Sequence, residues 1–337
     1  MKTLQPENDS QTGLITLDEL RAARQRLRGV ALHTPLVRME LPFPPGPLWI
    51  KAEGLQPIGS FKLRGAFNKV ALLPPAERSA GVITYSSGNH AQGVAYAARI
   101  MGVKAVIVMP ANAPEIKRAA TAALGAEIVP VGPSSSERKE KAEELAGSFG
   151  YAMVPPYDDR AIIAGQGTCG LEILEDMPEV ELILVPVGGG GLLSGISAAV
   201  KLSRPDVKVI GVEPELADDA ARSFKSGKLL AIGPEQTSRT LADGLRTQSL
   251  GVLNFAHLQA YVDDIVTVTE AQIREAMRRS LAVARLVPEP SGAVALAAAL
   301  FHQDKLPSSR KTVAVMSGGN VEPQVLLSVL QEVVAAR

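Results

Sequence analysis

The chain has 337 residues, 46% hydrophobic and 21% charged, enough for a large core divided between two domains. Lys+Arg 35 balances Asp+Glu 35, so long-range attraction would hold neither nucleic acid nor an anionic membrane surface. The single cysteine, Cys169, excludes an intramolecular disulfide and suits a reducing cytoplasm, and no apolar run reads as a signal peptide or a membrane span. These features predict a soluble, cytoplasmic globular protein with no nucleic-acid and no membrane partner.

Thr16-Leu17-Asp18-Glu19 is a capping box that opens a helix to about Leu27. Leu48–Glu53 reads as a strand. The apolar run Phe61, Leu63, Ala66, Phe67, Val70, Leu73 then predicts a half-buried helix with Lys62 in its first turn. After Pro74-Pro75, strands Gly81–Ser86, Ala105–Met109 and Glu127–Val131 alternate with helices Ala91–Met101, Glu115–Leu124 and Glu137–Phe149, and a short strand, Ala152–Val154, closes the block. Helix Ile162–Glu175, strand Leu182–Val187, helix Leu192–Leu202 and strand Val207–Val212 follow. Residues 216–261 show no clear pattern. Strand Ile265–Val268, helices Ala271–Leu286 and Ala293–Phe301, strand Thr312–Met316 and a helix from Pro323 complete the order. Such alternation predicts an α/β fold of two doubly wound parallel-sheet domains, with ligands in the cleft at the strand C-termini. The expected division is a large domain of residues 1–78 and 155–337 and a small mobile one of residues 79–154.

Four stretches carry chemistry. In Ser60-Phe61-Lys62-Leu63-Arg64-Gly65-Ala66 the lysine begins an apolar helix, where partial desolvation would lower its pKa toward that of a Schiff-base amine; the motif alone fits an ordinary lysine snorkelling from a helix better, and the motifs downstream change that balance. Ser86-Ser87-Gly88-Asn89-His90 follows a strand and offers hydroxyls, an amide and free backbone N–H groups at a helix start, an anion site sized for a carboxylate, or a plain N-cap with a tight turn. Gly188-Gly189-Gly190-Gly191 lets backbone N–H groups converge on a phosphate, and it has neither the spacing of a dinucleotide fingerprint nor the Lys-Ser/Thr pair of a P-loop. Ser317-Gly318-Gly319-Asn320 places a neutral hydroxyl at a strand end, or is simply a turn.

A lysine amine, a phosphate cup, a carboxylate cup and a lone hydroxyl together describe pyridoxal 5'-phosphate with an amino-acid substrate. With Ala164-Gly165-Gln166-Gly167-Thr168 in order between them, these motifs resemble the fold type II pyridoxal-phosphate enzymes, in the group of threonine/serine dehydratases (ammonia-lyases) and serine racemases, over about Leu17 to Val329. The resemblance implies that Lys62 anchors the cofactor and moves the Cα proton, with Phe61 beside it. It implies that Asn89 binds the ring hydroxyl, Gly188 to Gly191 the phosphate, and Ser317 the pyridine nitrogen. Ser86, Ser87, Asn89 and His90 would hold the substrate carboxylate, with Ser87 also placed as the acid/base on the opposite face. Glu213, Ala217 and Asp219 match a divalent-cation site for Mg²⁺ or Ca²⁺, or are a capped helix start with solvated acids.

The resemblance lacks the C-terminal regulatory domain of feedback-controlled members, since one helix follows Asn320. Pro156-Tyr157-Asp158-Asp159 resembles the dehydratases. Arg138 lies in a Lys- and Glu-rich helix that reads as a solvated face, and Cys169 reads as a small packing residue. The implied activity is deamination of a β-hydroxy amino acid, serine or threonine by default, to a 2-oxo acid and ammonia. A serine racemase with side dehydration, a dehydratase for 3-hydroxyaspartate or phenylserine, and a non-enzymatic module that senses a phosphorylated ligand are the alternatives. A homodimer or homotetramer is the expected assembly.

Overall fold

Apolar strands and amphipathic helices alternate along the computed structural model, which describes residues 13–40, 48–86, 88–113, 115–132 and 135–335. The capping box is formed reciprocally between Thr16 and Glu19 and starts α1 (Leu17–Leu27). Then come β1 (Leu36–Met39), β2 (Leu48–Ala52), α2 (Lys62–Leu72) and α3 (Pro75–Ala80). The next block is β3 (Val82–Tyr85), α4 (Asn89–Met101), β4 (Ala105–Pro110), α5 (Glu115–Ala123), β5 (Glu127–Val131), α6 (Ser135–Phe149) and β6 (Ala152–Met153). After it run α7 (Arg160–Asp176), β7 (Leu182–Pro186), α8 (Gly191–Ser203) and β8 (Lys208–Pro214). Helices α9 (Asp219–Ser226), α10 (Pro234–Thr237) and α11 (Val252–Tyr261) fill the region without a sequence pattern. The chain closes with β9 (Asp264–Val268), α12 (Glu270–Arg279), α13 (Pro290–Phe301), β10 (Thr312–Met316) and α14 (Pro323–Ala335).

Two sheets result. One has six strands in the order β1-β2-β10-β7-β8-β9, the other four in the order β5-β4-β3-β6. All ladders are parallel except β1 against β2 at the sheet edge. Every residue of β7 is buried, because helices cover both faces of a parallel sheet. That continuous burial is why β7 reads as an unbroken apolar run. Strand β1 is only four residues long and half-buried, too short to signal itself, and it adds an antiparallel edge to the parallel architecture. The long helix expected over 271–286 breaks after Arg279 into a π turn, Ser280–Ala284, and ends at Arg285 with φ of 60°.

Glycines bring the central helices together. A Cβ on Gly165 would lie 2.6 Å from the Arg64 carbonyl oxygen, and one on Gly195 would lie 2.4 Å from the Gly167 nitrogen. The Ala164–Thr168 stretch is therefore the crossing point at which α7 touches α2 on one side and α8 on the other. Beneath it Arg64, fully buried, forks onto Glu53 (2.7 Å) and Glu172 (2.6 and 2.7 Å), and Lys51 joins Glu172 at 2.7 Å. Each buried charge has an opposite partner within hydrogen-bond distance, which is the condition for its tolerance in a core. Cys169 is buried beside this cluster, and burial pushes its thiol pKa up, as suits a packing residue.

Candidate active site

Two motifs far apart in sequence are zipped together at the C-terminal end of β10. Phe61 N donates to the Ser317 carbonyl (3.0 Å), Gly319 N donates to the Gly59 carbonyl (2.9 Å), and Ser60 bridges Gly318. The pairing sets Phe61, the N-cap of α2, and Lys62, its first residue, beside Ser317. Asn320 then donates its amide both to the Ile58 carbonyl and to Asn89 Oδ1, each at 2.8 Å, which draws the start of α4 into the same place.

Lys62 is half-buried, with its Nζ 2.8 Å from the Pro156 carbonyl and 5.2 Å from the centre of the Phe61 ring. Desolvation lowers its pKa to about 8, opposed by the nearby Glu289 carboxyl. Such an amine is partly unprotonated near neutral pH. Ser86 ends the β3 side of the cleft and accepts from Gly88 N at 3.3 Å. Asn89 and His90 open α4, whose first N–H groups have no partner within the helix. The His90 imidazole is turned away from the helix start and bonds the Val154 carbonyl at 2.9 Å, so what His90 offers a carboxylate is its backbone. Ser87 lies outside the described residues.

Gly188 to Gly191 join β7 to α8. Gly190 has φ of +94°, a left-handed conformation that a side chain would strain, and a Cβ on Gly189 would lie 2.3 Å from the Tyr157 ring. Among the described residues no backbone carbonyl accepts from the N–H groups of Gly188, Gly189 or Gly190. Tyr157 lies over this loop, and burial, with Tyr85, pushes its phenol pKa up to about 12. The two acids that follow it are caps. Asp158 accepts from Val252 N (3.1 Å) and Leu253 N (2.9 Å) at the start of α11; Asp159 accepts from Ala161 N (2.8 Å) and Ile162 N (3.1 Å) at the start of α7.

One residue of the site went unmarked in the sequence. Glu289 precedes Pro290 at the start of α13 and reads as an ordinary helix entry. Its buried carboxyl accepts from Asn89 Nδ2 at 2.7 Å, and burial, then Asp243, pushes its pKa up to about 7. Asn320 and Glu289 together orient the Asn89 amide: oxygen toward one, nitrogen toward the other, with one N–H left over. Arg138 is half-buried rather than on a solvated face, and desolvation lowers its pKa.

Comparison with known proteins decides the family. Residues 28–318 match the pyridoxal-phosphate dependent enzymes. The chain belongs to that family. It is 42% identical over 315 residues to an L-threonine ammonia-lyase of Thermotoga maritima, covering 93% of this chain and 77% of that protein. It is 38% identical to a serine racemase of Schizosaccharomyces pombe, covering 92% of this chain and 95% of that one. The crystal structure of a threonine deaminase from T.th. superposes with a TM-score of 0.86 at 44% identity, covering 91% of this chain and 99% of that one.

The residues present fit the cofactor this family carries. Unpaired glycine N–H groups at the start of α8 suit a phosphate, and a desolvated lysine amine suits an aldehyde. Buried Ser317 brings a neutral hydroxyl where a charged side chain would add a full charge. The predicted cation residues lie between the end of β8 and the start of α9. Glu213, Ala217 and Asp219 are buried, not solvated, and among the described residues neither Asp219 carboxylate oxygen finds a partner. Glu213 accepts from Ala220 N (3.1 Å) and Ala221 N (2.8 Å) at the start of α9. Burial, and for Glu213 the neighbouring Asp219, raises both carboxyl pKa values, Asp219 to about 7. Among the described residues no cluster of three or more His, Cys, Asp or Glu is set to hold a metal, so any cation there would also need a backbone carbonyl such as that of Ala217.

Proposed function

We propose that this enzyme deaminates a β-hydroxy amino acid, L-threonine or L-serine by default, to a 2-oxo acid and ammonia. The observation that carries the proposal is the Lys62 amine, its pKa lowered to about 8, zipped beside a neutral serine rather than a carboxylate. Bound pyridoxal phosphate supplies an electron sink that makes the Cα–H bond of an amino acid acidic. Lys62, as a partly unprotonated amine, takes that proton. The glycine N–H groups and the start of α8 hold the phosphate, while the first N–H groups of α4 with the Ser86 hydroxyl receive the substrate carboxylate. Asn89, oriented by Glu289 and Asn320, directs its remaining N–H at the cofactor's ring oxygen.

Ser317 can hydrogen-bond a pyridine nitrogen without fixing a proton on it, so negative charge at Cα is only partly stabilised. Departure of the β-hydroxyl as water, its proton returned by the Lys62 ammonium, would then be favoured over transamination. The unit built on β3 to β6 closes over the substrate and keeps water from the reacting atoms. Glu213, the Ala217 carbonyl and Asp219 hold a Mg²⁺ or Ca²⁺ ion at the start of α9.

Two measurements test this reading. Borohydride reduction followed by peptide mapping should place the cofactor on Lys62. A panel of L- and D-β-hydroxy amino acids, assayed for 2-oxo acid and for inversion at Cα, should show 2-oxo acid release as the dominant outcome with an L-substrate. Inversion without 2-oxo acid would overturn the assignment.

A further inference from the structure

Residues 154–156 carry the chain from the four-stranded sheet toward α7, and Pro155 and Pro156 have no N–H with which to anchor themselves. The carbonyls of this crossover are instead gripped from outside, once from each side of the cleft. His90, in the first turn of α4, bonds the Val154 carbonyl at 2.9 Å, and Lys62, in the first turn of α2, bonds the Pro156 carbonyl at 2.8 Å. Val154 N is tied to the Ile83 carbonyl at 2.9 Å, so the grip is fixed to the sheet itself.

A carbonyl only accepts, so His90 carries its proton on Nε2 and leaves Nδ1 as a bare acceptor. That Nδ1 is buried and among the described residues no donor reaches it, in a side chain 3% exposed. A second proton there would be a buried donor with nothing to receive it. The imidazole is therefore neutral, and burial, then the Lys62 charge, holds its pKa down at about 3.

We propose that His90 is a positioning residue for Lys62: by fixing the Val154 carbonyl it sets the Pro156 carbonyl as the acceptor that catches the Lys62 ammonium whenever that amine is not bonded to the cofactor. The inference rests on the reading of Lys62 as the cofactor lysine. A released, protonated lysine needs a local acceptor, or it would leave the reach of Cα. The titratable groups that face it are Glu289, at the start of α13, and His90, on α4; the neutral imidazole adds no charge that would repel it. The Pro156 carbonyl stabilises the ammonium and so resists the fall in its pKa caused by burial.

The test uses the full chain stripped of cofactor and recombined with pyridoxal phosphate across pH, since the rate of covalent attachment follows the free amine. The parent should titrate near the midpoint of about 8 expected for Lys62. His90→Leu, which removes the donor, should lower the midpoint by about one pH unit, the scale of one lost charge-assisted hydrogen bond. His90→Gln, whose amide can donate to the Val154 carbonyl, should restore it. A His90→Leu protein that titrates with the parent overturns the proposal, whereas attachment of the parent at another lysine overturns the reading beneath it. Where His90→Leu fails to fold, nitrogen-15 NMR of the parent imidazole decides. A single neutral Nε2–H form from about pH 5 to 9 supports the proposal, and a proton on Nδ1 in that range overturns it.

Discussion

Burial decides the charge of Lys62, and that charge has a measurable cost in the cofactor-free protein. The folded chain releases the proton at about 8, whereas the unfolded chain keeps it to 10.5. Folding is therefore penalised in full below about 8, and the penalty fades as pH rises toward 10.5. Lys62→Met should raise the melting temperature of the cofactor-free protein by a few degrees at neutral pH, and calorimetry at rising pH should see the gain vanish. In the loaded enzyme the same change should lower turnover by at least about a thousand-fold, since it removes the base proposed to act at Cα. A gain in melting temperature independent of pH would contradict the lowered pKa. The Glu213 and Asp219 carboxyls make a second residue-scale case. A hard cation that binds only the folded pair stabilises it by mass action, about 2.7 kcal/mol at a hundred times the dissociation constant. Mg²⁺ or Ca²⁺ should raise the melting temperature, and Glu213→Gln with Asp219→Asn should abolish the response. A parent protein whose melting point ignores both ions has no such site.

At the scale of elements, glycines set how closely α2, α7 and α8 cross, and α2 carries the lysine. Gly165→Ala would drive its methyl group to 2.6 Å from the Arg64 carbonyl oxygen and 2.7 Å from Gly65 Cα, both backbone atoms that cannot rotate away. The helices must part, at a cost of about 1–3 kcal/mol. Differential scanning fluorimetry should show a clear drop in melting temperature, and cofactor affinity should weaken as Lys62 shifts with its helix. Gly147, on α6, meets nothing within 4 Å. Gly147→Ala should be neutral or stabilising by up to about 1 kcal/mol through helix propensity alone. Similar destabilisation by both changes would show that close crossing is not what Gly165 provides.

Across the whole molecule, an ion bridge ties the unit built on β3 to β6 to segments of the unit built on the six-stranded sheet. Lys117 of α5 lies 2.6 Å from Asp243 and 3.3 Å from Glu322, with its side chain 16% exposed. Asp243 also acts on Glu289, so the bridge and the Asn89 amide share one electrostatic neighbourhood. Lys117→Met should loosen the contact between the units. We expect hydrogen exchange to quicken across residues 79–154 and kcat/KM to fall by about tenfold, roughly the loss of 1.4 kcal/mol, while cofactor affinity holds. Unchanged exchange with unchanged kinetics would reduce the bridge to a surface ornament.

Local pattern alone determined a large part of this protein. The α/β class follows from periodicity, because every strand and helix that packs on a shared core must repeat its apolar residues at its own spacing. Lys62 and the four glycines stood out as candidates because reactive chemistry and tight backbone turns demand particular residue types within a few positions, whereas Ser317 alone read as a turn and became a candidate only through the family resemblance. Contacts between distant segments decided the rest. Asp158 and Asp159 sit side by side, yet one caps α7 next to it and the other caps α11, 94 residues away. Glu289 reads as a helix entry until folding aims it at Asn89, 200 residues earlier. His90 belongs by motif to an anion loop, yet its ring grips a carbonyl of the crossover segment after β6. For Asp158, Glu289 and His90 the partner lies far along the chain, and for Glu289 and His90 burial then sets the charge. Neither is written in the spacing of its neighbours; only the tertiary structure, by bringing those partners within hydrogen-bond distance and excluding water, decides them.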